Sequence, residues 1–137
     1  MGEHVENVPL IDHHVHGCWL QSGERTRFEN GLNEANTEPV ADFDSSFDTQ
    51  LGFAVRAHCA RVLDLPSHVD ADKYWDRRYE LGEQELAHRF LLAAGVTDWL
   101  VDTGFNSGVA DLAEMAETSG GRTHEIVRLE SVAEDAA

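Results

Sequence analysis

Apolar positions change period several times along the chain, and each change marks an element. Leu10-Ile11 form a short extended run behind Pro9, a residue tolerated at the start of a strand. Residues 17–44 are rich in Glu, Asn, Gly and Thr without sustained periodicity, which predicts a long loop. Phe47, Leu51, Val55, His58 and Val62 then recur at helical spacing, with Asp44 or Ser45 as the cap and Leu65-Pro66 as the stop. Further helices are expected over 70–82 and 83–94, the second ended by Gly95, with Tyr74, Trp75 and Tyr79 available for packing. Residues 96–103 read as a strand, 108–118 as a helix capped by Ser107, and 125–130 as a strand after the Gly120-Gly121 break. Ser131-Val132-Ala133-Glu134 has the form of a capping box, which places a helix start there and makes the chain end partway through a unit.

Strand, helices, strand, helix, strand is the order of an α/β protein with a parallel sheet and right-handed crossovers. Residues 10–14, 100–103 and 126–129 are therefore expected to be neighbouring parallel strands in chain order, the last two apolar on both faces. At 137 residues and 42% hydrophobic content the chain is long enough for one domain with a real core.

Charge narrows the partners. The net charge is −16, from 26 acidic residues against 10 basic ones, and Lys73 is the one lysine. Such a surface repels phosphate backbones and anionic membranes, so nucleic acid and membrane are excluded as partners and a small-molecule substrate is expected. A high-salt cytoplasm is a second reading of the same acidity. The N-terminus has neither a basic n-region nor an apolar h-region, so a cytoplasmic location is expected and Cys18 and Cys59 read as reduced thiols.

The chemistry concentrates in Asp12-His13-His14-Val15-His16. On a strand, residues i and i+2 share a face, so His14 and His16 emerge side by side and can share one metal ion. Eight histidines in 137 residues give about 0.5 His-x-His pairs by chance, so the spacing draws its meaning from its place at a strand end. Ligands gather at the carboxyl ends of parallel strands, where Asp102-Thr103 and Glu130 would also stand. Asp102 and Glu130 are thus candidate catalytic carboxylates, to orient water, contact substrate or hold a ligand imidazole. Each has a structural alternative: Asp102 as a helix cap, Glu130 as an acid ahead of a helix N-terminus, and Asp12 as support for the adjacent loop. Cys18 continues the i, i+2 series, but Gly17 is expected to end the strand first.

Asp12-His13-His14-Val15-His16 resembles the Asp-x-His-x-His opening of the amidohydrolase superfamily. Thr37-Glu38-Pro39, a helical insertion to about Leu91 and the run from Ala94 to Phe105 resemble its branch related to nodulins and to domains fused with glutamine-synthetase-type enzymes. The resemblance implies a partial (β/α)8 barrel, its first three strands with a helical insertion at about 44–94, and a divalent metal, zinc first, held by His14 and His16. It implies a metal-dependent hydrolase acting on an amide or related carbonyl bond of a small polar molecule, in which the metal polarises a carbonyl and a carboxylate takes a proton from water. In the family the remaining ligands and that carboxylate come from later strands, and His58, His68, His88 and His124 take over none of those roles. The chain is accordingly expected to be inactive alone and to self-associate or pair with a missing C-terminal portion. The alternative is a non-catalytic α/β fragment or interaction domain that keeps the fold's opening.

Overall fold

The computed structural model describes residues 8–21, 23–33, 45–104 and 108–135, which form two compact units. One comprises Met1–Leu20 and Leu91–Ala137, the other Gln21–Phe90, so the inserted helical segment is longer than the 44–94 read from the sequence. Thr37-Glu38-Pro39, the Asp44 cap and the Ser107 cap lie outside the described residues.

The first unit is built on a parallel sheet of β1 (Leu10–Val15), β2 (Val96–Asp102) and β3 (Arg122–Ile126), in the order β1-β2-β3, as the alternation of elements predicts. Trp99 and Val101 point to one face and pack with Ala110 and with Met115 of α5 (Leu112–Ser119), beside Val15 and Leu112. Met115 and Val101 are 0% and 2% exposed, and burial of such a side chain stabilises the fold by about 1.5–3 kcal/mol. Asp98, Leu100 and Asp102 alternate with them and belong to the opposite face. Gly121 permits the approach of β3 to Trp99, because a Cβ there would lie 2.9 Å from the indole nitrogen.

β1 carries the irregularity on which the site depends. Asp12 pairs with Trp99 and Val15 with Val101, so three steps along β1 match two along β2. One extra residue is accommodated in β1, which is the definition of a bulge. Unbroken alternation from Asp12 would put His14 and His16 on the Trp99 face, against α5. The bulge reverses the alternation, sends Val15 into the core and leaves both histidines on the Asp102 face. Asp12 Oδ1 accepts the His14 backbone N–H at 3.1 Å, across the bulge, which is the supporting role for Asp12.

Three boundaries differ from expectation in this unit. α5 begins at Leu112 rather than 108, because Asp111 and Glu114 form a reciprocal capping box with both bonds at 2.9 Å. β3 begins and ends earlier than 125–130, because Arg122 and His124 gain a partner in Asp98 across the sheet, whereas apolar Val127 and Leu129 stay exposed. α6 (Leu129–Asp135) therefore starts before Ser131, and Ser131-Val132-Ala133-Glu134 is helix interior, not a cap.

The second unit is helical: α1 (Arg25–Gly31), α2 (Gln50–His58), α3 (Ala71–Leu81) and most of α4 (Glu83–Ala93). α3 and α4 match the expected spans, with Asp70 capping α3 and Gly82 ending it. α1 interrupts the stretch expected to be loop, since Phe28 packs on Phe47 and Tyr74 and the buried Glu29 accepts from Arg25, Ser45 and Ser46. The helix expected from Phe47 to Val62 is divided: Thr49 caps α2, and residues 59–63 tighten into a 3-10 turn ended by left-handed Asp64. Phe47, Ala60, Leu63, Tyr74 and Leu86 form the core. No described helix is long and apolar enough to cross a membrane.

Candidate metal centre at the carboxyl end of the sheet

His14, His16 and Asp102 converge at the carboxyl ends of β1 and β2, with one ligand atom from each within 4.8 Å of the others. Asp102 Oδ2 lies 3.5 Å from His14 Nε2 and 3.9 Å from His16 Nδ1. The two rings stand edge to face, centroids 4.9 Å apart. Zinc–nitrogen and zinc–oxygen bonds of about 2.0–2.2 Å in a tetrahedron separate ligand atoms by about 3.3 Å, so the donor set fits a divalent ion after small side-chain adjustments. Both imidazoles are half-exposed and Asp102 is buried, an arrangement that leaves room for further ligands on the open side.

Asp102 is held from two directions. Its Oδ1 accepts the Gly104 backbone N–H at 2.9 Å, and Arg128 grips both oxygens, Nε to Oδ1 at 2.9 Å and Nη2 to Oδ2 at 2.7 Å. The Arg128 guanidinium, followed by the Gly104 N–H, keeps the carboxyl well below the usual carboxylate range. Asp102 is thus an ionised anchor, competent as a ligand and poorly suited to take a proton. His16 Nδ1 also lies 3.4 Å from the Asp102 main-chain oxygen, a contact that is a hydrogen bond only when Nδ1 carries the proton and that an ion held by Nδ1 would replace.

The remaining expected residues fall elsewhere. Glu130 sits in the first turn of α6, with its side chain 68% exposed and 4.0 Å from Arg128 Nη1, so it does not stand at a strand end. The strand ended earlier than the apolar run suggested, and Arg128 occupies the rim position instead. Cys18 packs beside the Trp99 cluster and is not one of the grouped ligands. His124 joins a separate constellation, in which Asp98 accepts from Arg122 at 2.7 and 2.8 Å and lies 3.1 Å from the His124 ring. Arg128 and Arg122 are the residues that sequence reasoning missed; no local pattern marks them, because they meet Asp102 and Asp98 only once β3 is placed beside β2.

At the carboxyl end of the sheet, a cleft of about 490 Å3 is lined by His16, Thr103, Glu125 and Asp111, with apolar Val101 and Leu112. Its size suits a small molecule. Thr103 donates to Glu125 at 2.9 Å along one wall.

No protein-family model matches the chain, and neither the curated proteins nor the solved structures contain a match to it.

Proposed function

We propose that the chain is part of a cytoplasmic metal-dependent hydrolase of the amidohydrolase type, its sheet the first three strands of a (β/α)8 barrel. The supporting observation is the meeting of His14, His16 and Asp102 at the carboxyl ends of neighbouring parallel strands. Such ends carry the catalytic groups of parallel barrels. A divalent ion, zinc first, would be held by the two imidazoles, and when bound it supplies Lewis-acid polarisation of a substrate carbonyl. Asp102 fixes the ligand geometry, Arg128 and Gly104 fix Asp102, and the half-exposed imidazoles leave an approach for an amide or related carbonyl bond of a small polar molecule.

A second reading is a non-catalytic α/β domain that binds an ion without turning over substrate. It is favoured by the engagement of both Asp102 oxygens and by the exposed helical position of Glu130, which together leave neither carboxylate poised to accept a proton. A closed barrel of this kind needs about 250 residues. The expected behaviour of these 137 residues is therefore zinc binding without turnover of N-acyl or deaminase substrates. Metal-dependent turnover lost in His14→Ala would show a complete site and remove the second reading. Failure to bind zinc through His14 and His16 would remove both.

A further inference from the structure

Arg128 and a metal ion would compete for one atom. The oxygen of Asp102 that faces both imidazoles is Oδ2, 3.5 Å from His14 Nε2 and 3.9 Å from His16 Nδ1. Oδ2 is also the oxygen that Arg128 Nη2 holds at 2.7 Å. A carboxylate oxygen has two lone pairs, so a cation and a guanidinium can both address it, yet the two positive charges then lie within a few ångströms and repel.

The fold is shaped to hold Arg128 in that position. Arg128 follows β3 and precedes α6, so the backbone brings it to the rim between two regular elements. Its side chain lies across Gly104, where an added Cβ would stand 2.5 Å from Arg128 Nε and 2.9 Å from its Cδ. A side chain at 104 is therefore incompatible with the observed guanidinium placement. Glu130, 4.0 Å from Arg128 Nη1, offers a second carboxylate on the outer side of the rim.

We infer that Arg128 is a positioning residue that withholds Asp102 Oδ2 from the metal, so that occupancy of the site is set by exchange of Arg128 from Asp102 toward Glu130. This rests on the metal-binding reading above. Binding an ion requires the Arg128 to Asp102 pair to loosen, which lowers affinity and keeps the ion exchangeable.

Zinc affinity, read by competition with a chromophoric chelator, tests this in wild type, Arg128→Met, Arg128→Lys and Gly104→Ala. Removing an outer-shell group that merely supports a metal ligand commonly costs about 10–100-fold in affinity, so a gain on removing Arg128 separates competition from support. Arg128→Met is expected to bind zinc more tightly than wild type, and Gly104→Ala, whose added Cβ would meet Arg128 Nε at 2.5 Å and Asp102 Oδ1 at 3.0 Å, should bind more tightly by a smaller factor because it crowds the carboxylate as well as the guanidinium. Arg128→Lys, which keeps the charge and loses the fork, is expected to remain near wild type. Equal or weaker zinc binding by both Arg128→Met and Gly104→Ala, with circular dichroism showing both folded, would overturn the inference and make Arg128 a supporting clamp. If one of the two fails to fold, the other decides the sign. Absence of zinc binding in every variant, wild type included, would remove the metal reading itself, a result distinct from failure of the Arg128 role.

Discussion

Two carboxylates on one strand, Asp98 and Asp102, organise one face of the sheet: Asp98 is gripped by Arg122, its register partner at the start of β3, and Asp102 by Arg128, two residues beyond the end of β3. Asp98 provides the cleaner test of how such a pair contributes, since it stands apart from the grouped ligands. Arg122, then the His124 ring and the Thr97 hydroxyl, hold its carboxyl well below the usual range. A carboxylate whose pKa is lower folded than unfolded stabilises the fold fully above its unfolded value of about 4, and that contribution is lost as pH falls toward the depressed folded value. The urea midpoint of wild type should thus drop more steeply between about pH 5 and pH 2 than that of Asp98→Asn, in which the titrating group is gone. Parallel curves would show that the pair adds nothing. At this scale the sequence displayed the histidines but not their neighbours. His-x-His at a strand end is a local pattern, whereas Arg128 reaches Asp102 only through pairing of β2 with β3 across 26 positions.

Elements were legible wherever periodicity and local capping agreed. Asp70 and Gly82 bound α3 as their residue types indicate, and Gly120, left-handed at φ 68°, ends α5. The capping box at Asp111 and Glu114 gives an expected cost for losing one cap: Asp111→Ala should lower stability by about 1 kcal/mol in denaturant titration, while Ser131→Ala, inside α6, should not show a cap-sized loss. A cap-sized loss at Ser131 and none at Asp111 would contradict the observed helix starts. The illegible elements have a common cause. α1 lacks an apolar stripe and is fixed by Phe28 and Glu29 meeting residues far along the chain, and β3 is polar at its start because Asp98 supplies partners. The bulge in β1 was equally hidden. Simple alternation puts His14 and His16 on one face correctly, but only the extra residue decides that this is the face of Asp102 rather than the face of Met115.

For the whole molecule, the sequence showed a parallel α/β sheet and a helical insertion, and the structure gives each its own core, Trp99 with Met115 in one unit and Phe47 with Tyr74 in the other. Both cores exist under a net charge of −16. Raising salt from 0.1 M to 1 M shortens the screening length from about 10 Å to about 3 Å and relieves that repulsion. It also weakens exposed ion pairs such as Arg89 with Asp64 and Glu85, but such surface pairs are each worth about 0–1 kcal/mol, so the net charge should dominate. The melting temperature is expected to rise with salt; no rise would mean that the acidic surface imposes little strain on the fold.

The most direct measurement on the site is isothermal titration of zinc into wild type and into the His14→Ala, His16→Ala double variant, with both proteins shown folded by circular dichroism. Two imidazoles and one arginine-held carboxylate leave the coordination shell partly open, so wild type is expected to bind one zinc ion weakly and saturably, with an enthalpy that disappears in the double variant. Equal binding by the two proteins would place any zinc elsewhere on the acidic surface and contradict a metal centre at the carboxyl end of the sheet.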